Sequence, residues 1–268
     1  MNGYEALLKT VFMHGEDMGG RNGGTTEIFG TTLVHDMEEG FPVVTTKKVP
    51  IKAAIGEFIA FLRGYTREEQ FAELGCNYWK QNSESEYWKA NPNYEPGSLG
   101  PVYGAQWKNF GGVDQLEKLV EDIKSNPFSR KHVVSAWNPA ELDKMCLEPC
   151  HIMFQVNITS KGTLDLLMFQ RSADMFLGVP IDCVLYGLMM FVLCDQTGYT
   201  PGTLKMVFGS THVYNTHDEA VCTQLERPVF PMPVMTMRSR PRLRDYEPED
   251  FVLTGYVHHP AIVAPMSV

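Results

Sequence analysis

The sequence predicts an α+β fold, and three observations carry that expectation. Apolar residues recur at helical spacing in segments that end at glycine, and three successive runs in the middle of the chain have strand character. The two kinds of element mix without the regular alternation of a βαβ protein, which argues against a dinucleotide-binding fold. The one glycine-rich turn, GGRNGGTT, agrees, because it fits neither the phosphate-loop pattern nor GxGxxG.

The elements follow in chain order. EALLKTVFMHG (residues 5–15) and IKAAIGEFIAFLRG (51–64) show helical apolar spacing and stop at Gly. Between 83 and 98, SESEYWKANPNYEPGS is rich in turn-forming residues and reads as a surface excursion. VDQLEKLVEDIKSNP (113–127) is an amphipathic helix halted by Asn-Pro, since proline disfavours helix in the residue before it. HVVSAW (132–137), HIMFQVNI (151–158) and TLDLLMFQ (163–170) read as strands. A long buried helix is expected from about 181 to 196, and another within VYNTHDEAVCTQLE (213–226). No repeat, low-complexity tract or linker divides the chain, so a single domain over 1–268 is expected.

Composition narrows the function classes. The 268 residues carry 32 acids against 23 bases, a formal net charge of −9. That balance argues against general nucleic-acid binding while leaving room for a local basic pocket around one phosphate. With 44% hydrophobic and 21% charged residues, disorder is not expected. The six cysteines lack regular spacing; Cys146 and Cys150 stand four apart with no second pair to complete a zinc site, so no metal is expected. There is no secretory apolar region at the N-terminus, and the most apolar run, residues 184–194, is too short to span a bilayer. The expected compartment is therefore a reducing cytoplasm, without membrane association.

Several residues could carry chemistry. Cys150, in LEPCHIMFQ, is either a buried structural thiol or a nucleophile at a strand entrance, its pKa lowered by nearby cations. Arg21, Arg130, Lys131 and Arg171 lie in short segments rich in Ser, Gly or Thr. Such cations are usually solvated, but several guanidinium groups beside hydroxyls would suit a phosphate. His212 and Tyr214 stand two apart in GSTHVYNTH; in an extended stretch they would point the same way and grip a sugar hydroxyl, whereas a helix start capped by Ser210 or Thr211 is the plainer alternative. Glu57 lies in the apolar helix segment AAIGEFIAFL, and burial there would raise its pKa as in an acid–base catalyst. In QRSADMFLGVPID the carboxylate of Asp182 falls where a polar loop meets an apolar helix, and a buried acid needs a partner.

Together, RNGGTT, GFPVVTTKK, LGPVYGAQW, SRKHVVSAWNPAELDKM, LEPCHIMFQ, QRSADMFLGVPID, THVYNTH and the terminal HHPAIVAPMSV resemble the thymidylate synthase family nearly end to end. The resemblance implies a large mixed β-sheet flanked by helices and a homodimer formed through the sheets. It implies one-carbon transfer from 5,10-methylenetetrahydrofolate to carbon 5 of a pyrimidine nucleotide. By the same resemblance Cys150 attacks carbon 6 of the base, while Arg21, Arg171 and Ser172 hold the phosphate. Arg130 and Lys131 reach across the dimer to the other subunit's phosphate, and His212 and Tyr214 bind the sugar 3′-hydroxyl. Glu57 organises water and proton transfers, Tyr103 and His151 line the cavity, and Gln170 is a substrate-binding residue. Trp79, Asp174, Leu177, Gly178 and Met266 fall to the folate, over which APMSV (264–268) closes as a lid.

Three departures from the family pattern bear on the substrate. Where thymidylate synthases carry Asn, this chain has Asp182. An amide can accept from the ring N–H of uracil at nitrogen 3 and donate to the carbonyl at carbon 4; cytosine reverses both roles. A protonated carboxyl matches cytosine, donating to nitrogen 3 and accepting from the amino group. The resemblance at this position is to the deoxycytidylate hydroxymethylase branch, found in phages that modify their DNA, which would put the chain in a host cytoplasm. Ser210, in GSTH where most synthases read GDxH, fits the same branch. Lys131 replaces a second consecutive Arg, which keeps the charge and loses the planar fork, so CMP stands beside dCMP as a substrate. The expected activity is thus hydroxymethylation of dCMP; methylation of dCMP, thymidylate synthesis from dUMP, and a catalytically silent nucleotide- or RNA-binding relative are the alternatives.

Overall fold

The computed structural model describes residues 2–19 and 23–266. In chain order the elements are α1 (Asn2–His14), β1 (Glu16–Met18), β2 (Thr25–Asp36), α2 (Ile51–Arg63), α3 (Glu68–Glu73), α4 (Trp79–Ser83), α5 (Glu86–Lys89), α6 (Gly104–Lys108) and α7 (Gln115–Ser125). There follow β3 (Val133–Ser135), β4 (His151–Ile158), β5 (Thr163–Asp174), α8 (Gly178–Thr197), β6 (Thr200–Tyr214), α9 (Asp218–Leu225), β7 (Val234–Met237) and β8 (Phe251–Thr254). The architecture is α+β, as the sequence predicts. A six-stranded sheet runs in the order β1-β2-β6-β5-β4-β3, and β7 and β8 form a separate hairpin. The large sheet is mixed: β5 and β6 are parallel and every other neighbouring pair is antiparallel.

Local chemistry explains the helix ends. α2 closes on Gly64, whose φ of 69° satisfies the left-handed cap that a side chain would resist. α7 starts where the Asp114 carboxylate accepts the Glu117 N–H at 3.1 Å, and it stops before Asn126-Pro127. The central helix is α8. Its apolar residues run round the whole circumference, so it must be enclosed. One side lies on β5 and β6 and another on α2. The sheet offers it Phe154, Val156 and Ile158 from β4, Leu164, Leu166 and Met168 from β5, and Leu204, Met206 and Phe208 from β6, all buried. Each contributes roughly 1.5–3 kcal/mol of apolar burial.

Four expectations need correction. α8 begins at Gly178, a turn earlier than the periodicity indicates. Its 20 residues, with a mean hydropathy of 1.6, are long and apolar enough to cross a membrane, so the length argument fails; what marks α8 as a core helix is that 78% of the window is buried inside the fold. The segment 83–98 is no mere surface excursion, because Trp88 is wholly buried and donates its indole N–H to the Ser98 carbonyl at 2.9 Å. Ser210 and Thr211 cap no helix: they lie inside the 15-residue strand β6, and α9 begins only at Asp218.

Candidate active site

β5 and the first turns of α8 build the centre of the site. Alternation along β5 turns Gln170 toward α8, where its Nε2 donates to Asp182 Oδ2 at 2.9 Å and to the Ser172 carbonyl at 3.0 Å. A backbone carbonyl only accepts, which fixes the amide orientation. Gln170 Oε1 is then a buried acceptor with no partner among the described residues. Burial pushes the Asp182 carboxyl up to about 8, reinforced by the negative charges of Glu57 and Asp174 and opposed by the Gln170 hydrogen bond. Burial thus favours the protonated acid at Asp182. His151 Nε2 lies 3.9 Å from Asp182 Oδ1, but this is not an ion pair, since burial lowers the imidazole pKa to about 3. The other ring nitrogen, Nδ1, is paired with the Tyr186 hydroxyl at 2.9 Å.

Cys150 sits at the entrance to β4, held from two sides. Its N–H donates to the Tyr103 hydroxyl at 2.8 Å, and its carbonyl accepts the Arg171 N–H at 2.8 Å. Tyr103 stacks on His151 with 4.1 Å between ring centroids. Its φ of 22° is unique among the described non-glycine residues, a strained backbone of the kind that a site must hold in place. The next residue, Gly104, makes that placement possible: a Cβ there would come within 2.2 Å of the Phe61 carbonyl oxygen. The Arg171 guanidinium grips the turn before Cys150, donating to the Pro149 carbonyl at 2.9 Å and the Glu148 carbonyl at 2.8 Å. These bonds use two of its five N–H groups, leaving others for an anion. Arg171 pulls the thiol pKa down, as the sequence suggests, but burial outweighs it and the net shift is upward. That overturns the expectation of a cation-lowered thiol in the ligand-free chain.

Glu57, on α2, is buried as its apolar surroundings imply. Its carboxylate accepts the Trp79 indole N–H at 2.6 Å and the Tyr78 hydroxyl. Burial nevertheless raises the Glu57 pKa to about 7. Trp79 has spent its donor on Glu57; its ring is buried against Phe71 at 5.6 Å and Tyr103 at 6.0 Å between centroids.

A third group gathers at the end of β5 and β6, where Ser172 pairs with Ser210 and Asp174 with His212. His212 and Tyr214 do point the same way, their rings 5.1 Å apart, and Ser210 Oγ meets His212 Nδ1 at 3.2 Å. Asp174 Oδ1 accepts the N–H groups of Phe176 and Leu177 at 2.9 and 3.1 Å, forming the turn that delivers Leu177 and Gly178 to the start of α8. Lys47 is buried beside this turn, 3.4 Å from the Phe176 ring centroid and donating to the Phe176 carbonyl. Burial lowers its pKa to about 7 against the pull of Asp174.

Other expected site residues stand apart. Arg130 and Lys131 are exposed on the turn leading into β3, and Met266 is 37% exposed. Arg21, Ser267 and Val268 lie outside the described residues.

The sequence model of the family described as thymidylate synthase matches residues 2–268. The chain belongs to the thymidylate synthase family. A protein of Escherichia phage T5 named "Probable thymidylate synthase" is 41% identical over 280 aligned residues that span all of both chains. Thymidylate synthases transfer a one-carbon unit from methylenetetrahydrofolate to a pyrimidine nucleotide, and that enzyme class holds for this chain. No group of three or more His, Cys, Asp or Glu suited to a metal occurs among the described residues. His217 shares GSTHVYNTH with His212 and Tyr214, and the close spacing of the three is visible in the sequence. Three residues beside the candidate site escape sequence reasoning: Tyr186, Tyr78 and Lys47. Tyr186 had a signal, since it lies one helical turn after Asp182 on the same face. Lys47 had another, the first of two lysines that close the uncharged stretch FPVVTT.

Proposed function

We propose that the chain is a single-domain (deoxy)cytidylate 5-hydroxymethylase, making 5-hydroxymethyl-dCMP from dCMP and 5,10-methylenetetrahydrofolate. One observation carries this reading: Asp182 is a carboxyl buried at the start of α8, held by Gln170 Nε2 at 2.9 Å, where burial favours its protonated form. A protonated Asp182 donates to nitrogen 3 of cytosine and accepts from the amino group at carbon 4. Gln170 Oε1, a buried acceptor in need of a donor, suits that amino group as well. Uracil brings a carbonyl oxygen to this position, which leaves Gln170 Oε1 unpaired and, against an ionised Asp182, sets acceptor against acceptor; a buried site rejects both.

The remaining residues divide the work. Cys150 Sγ, as thiolate, bonds to carbon 6; the electron pair of the 5,6 double bond moves through the ring toward nitrogen 3, and Asp182 passes its proton there. Carbon 5 becomes the nucleophile. Tyr103 and His151 fix the Cys150 turn and the wall behind the base. Glu57 moves protons through water near carbon 5, as a carboxyl titrating at about 7 can. His212 and Tyr214 take the 3′-hydroxyl; Arg171, Ser172 and Arg21 take the phosphate. Trp79, Leu177, Gly178 and the Oδ2 of Asp174 take a heterocycle bearing N–H donors, with Met266 at the lid. When bound, the folate supplies a carbon at the oxidation level of formaldehyde.

A homodimer is part of the proposal. The sheet face away from α8 carries half-exposed Leu167, Phe169 and Val207, with Val34 51% exposed, although parallel strands such as β5 and β6 are normally covered on both faces. A second copy over this face would bring Arg130 and Lys131 to the neighbouring phosphate. A host cytoplasm and phage DNA modification belong to the same reading.

The printed name of the phage T5 relative favours a second reading, methylation of dUMP. Product mass after incubation with each nucleotide and methylenetetrahydrofolate separates the two. Hydroxymethyl-dCMP is expected from dCMP, one oxygen heavier than the methyl product and without oxidation of the folate to dihydrofolate. Turnover of dUMP alone would overturn the cytosine assignment. Failure to release tritium from carbon 5 of either nucleotide would leave a silent binding relative.

A further inference from the structure

His217 lies in the 3₁₀ turn Asn215–His217 between β6 and α9 and is wholly buried. Its Nε2 is 2.8 Å from the carbonyl oxygen of Pro265. Since that oxygen only accepts, Nε2 carries the hydrogen, and Nδ1 is buried without a partner among the described residues. The ring touches both halves of the candidate site: it meets Tyr214 at 5.5 Å between centroids, and Phe176, on the folate-side turn, at 5.3 Å.

The C-terminal strand of chain that reaches His217 is otherwise loosely held. Upstream, His259 N–H donates to the Thr45 carbonyl at 2.9 Å and Arg227 donates to the Pro260 carbonyl at 2.8 Å. Beyond Pro260, among the described residues, the bond to His217 is the only hydrogen bond of 261–266. Ile262 and Ala264 lean on the core, while Val263 is 93% exposed. The strap is pinned at two points, and the second is a histidine edge.

We propose that His217 is a positioning residue that latches this strap, through the Pro265 carbonyl, to the ring wall formed by Tyr214 and Phe176. A sugar seated on His212 and Tyr214 then steadies the ring that holds the strap, so nucleotide occupancy firms the cover over the second substrate and limits the water beneath it. The inference rests on the site reading above for which ligand lies on which side. The latch itself is a property of the ligand-free chain.

Two substitutions separate the ring from its N–H. His217→Phe keeps the ring contacts and removes the donor; His217→Gln supplies a donor without the ring. In His217→Phe, cleavage of the ligand-free protein within 261–266 by a nonspecific protease is expected to speed up about tenfold, the size of one lost hydrogen bond holding the strap closed. The KM for methylenetetrahydrofolate rises by a similar factor with either nucleotide that turns over, while the nucleotide KM stays within about twofold. His217→Gln restores much of both. Deleting residues 265–268 removes Met266 along with the latch and raises the folate KM at least as much as His217→Phe, and His217→Phe added to the deletion changes nothing further. Unchanged cleavage and folate KM in His217→Phe would overturn the latch, as would a further loss on top of the deletion, which marks a merely structural histidine. A change from dCMP to dUMP as the working substrate would strike the cytosine assignment and leave the cleavage result standing.

Discussion

Gln170, Asp182, His151 and Tyr186 hold one another beneath the surface, whereas Arg130 and Lys131 stand in water on a turn. The contrast separates two ways of recognising one nucleotide. At the base end the chain has already met the cost of desolvation, and it has left an acid and a bare acceptor whose partners only a ligand supplies. At the phosphate end Arg130 and Lys131 stay solvated and contribute charge without fixing geometry, while Arg171 is clamped on the turn before Cys150. In the proposed reading, selectivity belongs to the buried end and attraction to the exposed one.

The largest effect that would test this contrast is at Cys150. In Cys150→Ser, turnover should fall by on the order of 10³ or more while dCMP affinity stays within about threefold, because bond formation and recognition reside in different atoms. Calorimetric titration beside the rate measurement checks both; retained turnover would remove the covalent step. Next comes Asp182→Asn, which should shift the dCMP-over-dUMP ratio of kcat/KM by on the order of 10³ toward uracil. An unchanged ratio would break the assignment of selectivity to the buried end.

The pH dependence sharpens the same point. Productive attack needs one proton on Asp182 and none on Cys150. Asp182 loses its proton above about 8, and burial pushes the thiol above its ordinary value. Together the pair holds one proton only between its two ionisations, so kcat/KM for dCMP should rise through about 8 and fall again once the second proton leaves. Asp182→Asn has only the thiol to titrate, and its profile should rise without the fall. A bell that survives the substitution would assign the second limb to another group. The smallest effect belongs to the exposed end: Arg130→Ala should raise the nucleotide KM about tenfold, more at low salt than at high, with the dCMP-over-dUMP ratio unmoved.

How much of this was legible beforehand follows from where the side chains point. α2, α7 and β4 could be read because capping, turn residues and apolar spacing agree there. β2 and β6 went unread, although they are 12 and 15 residues long. Their threonines, serines and histidines line a site and an open face, which erases the alternation that marks a half-buried strand. Glu57 and Asp182 were visible as acids in greasy company. The bonds that tune them were not, because Tyr78 and Tyr186 look like ordinary core aromatics until the fold turns their hydroxyls toward a carboxylate and an imidazole. Arg171 was visible as a cation, but its role of clamping the backbone before Cys150 depends on a strand register that no local pattern reveals.

The enclosure of α8 also bears on how such an enzyme could diverge. Aspartic acid in its neutral form and asparagine have nearly the same outline, and one nucleotide change in the codon interconverts them. Buried on every side, position 182 is shielded from solvent whichever of the two it holds. If Asp182 selects the base as proposed, a lineage exchanges the pyrimidine it modifies in a single mutational step, with no neighbour forced to repack.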